Sequence, residues 1–141
     1  MAESSSKKKL DPDLQLAPNF YLREFLPDGV LPEALPKPVL ENLRRLATQL
    51  QALRNGVFNG RAIRISPNGG GYRTRLLNQQ LGGAPHSFHL QGMAADINVA
   101  GLSPRQVQSL LKAWPGGLGA YPGHTHVDFG PHRRWAGVYN K

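Results

Sequence analysis

Two short segments of this chain carry side chains that can do chemistry together. One is His89-Leu-Gln-Gly92-Met-Ala94-Ala-Asp96; the other, further along, is His124-Thr-His126-Val-Asp128. Between them they offer imidazoles and carboxylates at spacings that can close around one metal ion. Such groups bind zinc at about 2.0–2.2 Å, and catalytic zinc commonly takes three protein ligands and leaves a fourth position for water. The metal lowers the pKa of that water toward ~7, so a nucleophile exists at neutral pH. His86 and His132 fall outside the pattern and are expected to face solvent.

The geometry depends on strands. Side chains two apart on a strand share a face. His124, His126 and Asp128 therefore project together, as do Ala94, Asp96 and Asn98. If the two strands are neighbours, Asp96 and His126 meet at one ion and His89 joins them from the preceding loop. Gly92 permits a tight turn in that loop. His124, with an ordinary pKa of roughly 6.5, is the expected general base. Asp128 is expected to hold a ring nitrogen of His126 or His124 in one tautomer.

The remaining elements form a scaffold. Leu40, Leu43, Leu46, Ala47, Leu50 and Leu53 recur at three- and four-residue steps, which predicts a helix from about Pro38 to Arg54. Ile63 and Ile65 alternate with polar neighbours as in a half-buried strand. Asn68-Gly-Gly-Gly71 is expected to be a flexible loop. A short helix is expected over 74–81 and a second, capped by Ser103, over Pro104–Trp114. Strands are expected over Ala94–Val99, Leu118–Tyr121 and Thr125–Phe129. Asn19 is expected to cap a short turn holding Arg23, Glu24 and Phe25. Helices first and strands afterwards point to an α+β fold with an antiparallel sheet. Residues 1–12 are expected to be a disordered arm and 13–141 a single domain, acting as a monomer.

The bulk properties narrow the function. There are 141 residues and no cysteine, so a thiolate metal site is excluded. Seventeen Lys and Arg against nine Asp and Glu give a net charge of +8, which favours acidic partners such as anionic cell-wall polymers. Nucleic acid is not expected, because the aromatic residues are not interleaved with Lys or Arg into a stacking platform. No apolar run reaches the roughly 18–20 residues of a membrane span. The polar start, Met1 to Lys9, has no apolar stretch of a secretory signal behind it. The chain is thus expected to be made in the cytoplasm and to leave by another route, or a leader has been removed.

Ser87-Phe-His89-Leu-Gln-Gly92-Met-Ala94-Ala-Asp96 resembles the S-x-H-x-x-G-x-A-x-D signature of the zinc D-alanyl-D-alanine carboxypeptidase family. That family includes peptidoglycan endopeptidases and bacteriophage endolysins and shares its fold with the Hedgehog signalling domain. Gly71-Tyr-Arg73-Thr-Arg-Leu-Leu-Asn78, Gly82-Gly83-Ala84 and His126-Val-Asp128-Phe-Gly-Pro131-His-Arg-Arg-Trp135 are similar to further family segments. The likeness runs from about residue 18 to 137. It implies a Hedgehog-like fold with helices packed on one side of the sheet. It implies that His89, Asp96 and His126 bind Zn2+, that Arg73 engages the substrate or polarises its carbonyl, and that Ser87 lies near the substrate. Many members carry an acid three residues before the last histidine. Here that position is Gly123, and His124 instead makes the H-x-H of other murein endopeptidases. Ser66 to Gly70 is a longer approach to the Tyr-Arg pair than the family's serine–glycine one.

The function implied is a zinc metallopeptidase acting on peptide stems or cross-links of peptidoglycan, as endopeptidase or carboxypeptidase. It would work in the periplasm or cell wall, as a phage lysin delivered by a holin or an effector delivered by a secretion machine. The alternative is a zinc-stabilised binding module of the same fold without turnover.

Overall fold

The long apolar stripe and the short alternating segments do form helix and strands. The computed structural model describes residues 11–138. In chain order the elements are β1 (Gln15–Ala17), β2 (Phe20–Tyr21), α1 (Lys37–Gly56), β3 (Ile63–Ile65), α2 (Arg75–Gln80), β4 (Ala94–Val99), α3 (Pro104–Leu110), β5 (Gly117–Ala120), β6 (Thr125–Asp128) and β7 (Arg133–Ala136). Three 3-10 turns, Leu22–Phe25, Pro32–Ala34 and Phe88–Gln91, complete the set. The fold is α+β. β1 and β2 form a small hairpin, and the other strands form one sheet in the order β3-β4-β6-β5-β7.

Burial divides the sheet into two functional faces. Ala95, Ile97 and Val99 of β4, Val127 of β6 and Leu118 of β5 join one hydrophobic cluster with Leu43, Leu46 and Leu50 of α1 and Val107 of α3. The alternate residues, Asp96, His126 and Asp128, point to the opposite face. Helices α1 and α3 therefore cover the apolar side. Helix α2 packs instead against the 3-10 turn Phe88–Gln91, beside the polar side. Thr74 caps α2 by accepting from the Leu77 amide at 3.1 Å. Ser103 and Gln106 form a reciprocal capping box on α3.

Several expectations are corrected. The sheet is antiparallel except at its edge, where β7 runs parallel to β5. The turn Leu22–Phe25 is capped by Tyr21 and Glu24; Asn19 instead exchanges hydrogen bonds with the Gln51 side chain on α1. Helix α3 stops at Leu110, and Trp114 turns its indole N–H onto the Asp128 carbonyl at 2.9 Å. Of the expected arm, residues 1–10 lie outside the described residues. Asp11 and Pro12 belong to the fold, because their carbonyls accept from Leu14 and Arg23 at 2.8 Å.

The glycine segment before the Tyr-Arg pair is the largest correction. Gly70 and Gly71 are buried. A Cβ on Gly71 would lie 2.6 Å from the Phe25 carbonyl oxygen. The segment is thus glycine because backbone packs on backbone there, and it is pinned rather than loose. Its carbonyls do the pinning: Gly70 accepts from the Asp96 amide at 2.7 Å, and Gly69 and Gly71 accept from side chains of the site.

Candidate metal centre

β4 and β6 are antiparallel neighbours, and Asp96 stands directly opposite His126 in their register. Directly opposed side chains on one face have Cβ atoms about 4.5–5.5 Å apart, so a shared ligand is within reach of both. His89 enters from the turn Phe88–Gln91. Ser87 starts that turn by accepting from the His89 amide at 3.2 Å. Gly92 ends it at φ +73°, where a Cβ would sit 2.9 Å from the Val39 carbonyl oxygen. The chain thus turns sharply enough to aim His89 at β4.

The three side chains come together as expected. His89, Asp96 and His126 each offer one donor atom, all within 4.8 Å of one another. Asp96 Oδ1 lies 3.3 Å from His89 Nε2, 3.4 Å from His126 Nδ1 and 3.7 Å from His124 Nε2. Buried polar atoms normally have partners. Five buried side-chain atoms among the described residues lack one, and four are these same atoms. A divalent cation would satisfy the lone pairs of His89, Asp96 and His126 that face the centre and leave His124 Nε2 beside it, so the donor set fits zinc.

The partners behind the two histidines set their tautomers. His89 Nδ1 donates to the Gly71 carbonyl at 2.8 Å, leaving the Nε2 lone pair toward the centre. His126 uses the opposite nitrogen: Nε2 donates to Asp128 Oδ2 at 2.7 Å, leaving Nδ1 inward. Asp128 is held in turn by the amides of Gly117 and Gly130 and by Arg133. Room for this comes from β5, whose Gly119 faces His126. A Cβ there would lie 2.6 Å from the Trp135 ring.

The charges follow from the contacts. Burial would raise the Asp96 pKa, but His89 and His126 outweigh it and hold the carboxyl well below the usual range. Asp128 is likewise pulled down to about 2, against burial, by His126 and Arg133. Burial pushes His89 and His124 down, so both are neutral near pH 7. His126 goes up: burial acts to lower it, but Asp128 and Asp96 prevail.

The other candidates also gather here. Arg73 is 1% exposed, as buried as His89, Asp96 and His126. Its Nε donates to the Gly69 carbonyl at 2.7 Å, Nη1 to Asn78 Oδ1 at 3.0 Å and Nη2 to Asp96 Oδ2 at 3.4 Å. The longer Ser66–Gly70 approach therefore still delivers Arg73 to the centre. His124 precedes β6, and its ring stacks on Tyr121 with centroids 4.5 Å apart. Ser87 lines a cleft of about 560 Å³ together with His126, Asp128, Tyr121 and Trp135. His132 is exposed; His86 is exposed too, but on the cleft wall.

Tyr121, Trp135 and the Gly71 carbonyl are contributors that the sequence did not announce. Their signals are weak: three consecutive glycines, an aromatic just past β5 and another on the otherwise polar β7. Trp135 Nε1 donates to the Tyr121 hydroxyl at 2.9 Å, which fixes the ring under His124. Replacing Asp128 by Asn removes the anion behind His126 and is expected to weaken zinc binding about 10–100-fold. Competition with a coloured chelator measures this; unchanged affinity would remove Asp128 from the centre.

Comparison with known proteins agrees with the geometry. Over 76 residues the chain is 40% identical to the probable peptidoglycan L,D-endopeptidase MepK of Haemophilus influenzae, covering 48% of this chain and 41% of that protein. Over 73 residues it is 34% identical to the peptidoglycan L,D-endopeptidase MepK of Escherichia coli K12, covering 46% of this chain and 40% of that one. The matched stretch thus spans about two fifths of the length of these curated relatives. The model of the peptidase M15 family runs from residue 29 to 128, through His89, Asp96 and His126. That match takes in well over half of the chain, which belongs to the peptidase M15 family.

Proposed function

We propose that this protein is a zinc-dependent peptidase that hydrolyses peptide bonds in bacterial peptidoglycan, with His89, Asp96 and His126 holding the metal. The observation that carries the reading is the set of buried, unpartnered donor atoms meeting at one point. Family membership and the names of the two relatives support the hydrolytic class and the substrate. The bond proposed is of the L,D type, by analogy with those relatives, and cleavage within the stem or cross-link is favoured over carboxypeptidase action. The place of action proposed is the periplasm or cell wall. The net charge of +8 suits an anionic envelope. No helix among the described residues is long and apolar enough to cross a membrane.

Zinc, when bound, supplies a Lewis acid that polarises the carbonyl and makes water nucleophilic near neutral pH. The rest is done by side chains. His124, neutral because it is buried, takes a proton on Nε2 from the attacking water and returns it to the leaving amine nitrogen. Tyr121, stacked beneath it, keeps the ring in plane. Arg73 presents positive charge beside Asp96, where it stabilises negative charge growing on the carbonyl oxygen or holds a substrate carboxylate. Ser87 contributes a hydroxyl on the cleft wall.

The deciding experiment uses dye-labelled murein and measured zinc content. The parent protein is expected to release dye, to stop on chelation and to recover with zinc. His124→Ala is expected to keep zinc and lose about 10²–10⁴-fold in rate, the usual worth of a general base. Loss of zinc along with rate would make His124 a fourth ligand. The absence of an acid at Gly123 favours the second reading, a zinc-stabilised binding module. A fully loaded parent protein that binds murein without releasing fragments would establish that reading.

A further inference from the structure

The cleft beside the metal centre contains a cation that the mechanism above leaves unused. Among the described residues Asp128 is its only acidic lining residue, and that side chain is fully buried and already committed. Arg133 lines the same wall and is 38% exposed. Its Nη2 donates to both Asp128 oxygens, at 2.7 and 2.8 Å. Among the described residues no acceptor meets its Nη1 or Nε. Arg73 differs: all three of its nitrogens have protein acceptors.

Arg133 is also held in place. Its guanidinium carbon lies 5.0 Å from the Phe88 ring centroid and 5.2 Å from that of Trp135. Aromatic contacts and the Asp128 anchor remove most of the rotamer freedom that a ligand would otherwise have to freeze. A charged guanidinium with N–H groups to spare on Nη1 and Nε donates more strongly to a carboxylate oxygen than to that of a neutral amide. We propose that Arg133 is a substrate-binding residue that selects peptides bearing a free carboxylate next to the cleaved bond over their carboxamide counterparts. This rests on the reading of the centre as a peptidoglycan peptidase and names which stems it accepts.

The probe is a pair of muropeptide dimers: one as purified from murein, the other with its carboxylates converted to carboxamides. Zinc-loaded protein is expected to favour the free acid in kcat/KM by about tenfold or more, the usual worth of a charge-assisted hydrogen bond. The difference should lie chiefly in KM. Arg133→Met keeps the stem between Phe88 and Trp135 and should bring the two substrates within about twofold of each other. Arg133→Lys keeps a charge facing Asp128 and should retain zinc while losing most of the preference. If Arg133 only braces Asp128, the variants will slow both substrates equally and leave the ratio untouched; that result overturns the proposal. Calorimetric titration of chelator-stripped protein separates the two ideas. Preferential binding of the free acid by the stripped protein, with no hydrolysis of either substrate by the zinc-loaded protein, would sustain Arg133 and overturn the peptidase reading. Hydrolysis with no preference would do the reverse.

Discussion

Asp96→Ala is expected to yield a protein that neither retains zinc nor cleaves murein. Asp96 is the anion on which the centre is assembled: three imidazole nitrogens lie within 3.7 Å of Oδ1, and Arg73 reaches Oδ2. The carboxyl is held ionised by His89 and His126 against the effect of burial. On the proposed reading its removal takes away a metal ligand; it also leaves Arg73 buried without a counter-charge. The loss in zinc affinity should exceed the roughly 10–100-fold that changes behind the ligands cause. Turnover should fall to background. Taking one partner from a buried charged arrangement costs about 3–5 kcal/mol, so the melting temperature of the metal-free protein should drop as well. Asp96→Asn separates the two effects. It preserves shape and can still accept from Arg73, so it should fold better than the alanine variant and still fail to hold zinc. Elemental analysis, a thermal scan and the dye-release assay on both variants test this. Stoichiometric zinc with full turnover in Asp96→Ala would remove the centre from the mechanism.

The centre was legible because its chemistry sits on regular strands. β4 begins and ends where a strand is expected, at Ala94 and Val99. On a strand, H-x-H-x-D must share one face, and the register of β4 with β6 then brings Asp96 opposite His126. Helix α1 was legible from its stripe, with bounds only a few residues longer than expected. What escaped was whatever depended on distant backbone. β7 is Arg-Arg-Trp-Ala, too polar to read as a strand, and its parallel pairing with β5 is decided by tertiary contact. The hairpin β1–β2 has only three and two residues in its strands, too few for a period to register. Gly69 to Gly71 looked like a flexible loop because glycine permits many conformations; in the fold its missing side chains allow close packing, and its carbonyls organise Arg73, Asp96 and His89. Arg133 escaped because an arginine between His132 and Arg134 looks like surface. Only the cleft, with Phe88 and Trp135 beside it, distinguishes it.

Zinc is expected to stabilise the protein by an increment that grows as pH rises from 6.5 to about 8. On the proposed reading, His126 Nδ1 is where metal and proton would compete. In the metal-free protein its pKa lies above the ordinary value of 6.5: burial acts to lower it, but Asp128 and Asp96 more than offset that. A raised histidine stabilises the fold fully below 6.5, and that contribution is lost as pH climbs through the raised value. His89 and His124 are lowered, chiefly by burial. Their contribution is complete above 6.5 and is lost only as pH falls below it, so they are silent in this window. Asp96 and Asp128 are held ionised throughout. The metal-free protein should therefore weaken across the window through His126 alone. In the zinc-loaded protein the Nδ1 lone pair is occupied, so that loss does not arise, and zinc affinity itself rises as the competing proton departs. At free zinc of about 100–1,000 times Kd the increment is about 2.7–4.1 kcal/mol, and a fixed concentration of free zinc corresponds to a larger multiple of Kd at the alkaline end. Thermal scans of chelator-stripped and zinc-loaded protein at pH 6.5, 7.2 and 8 read the difference directly. A gap that stays constant or narrows would mean that His126 does not share its inward nitrogen between proton and metal. The ring orientation imposed by Asp128 would then have to be reassigned.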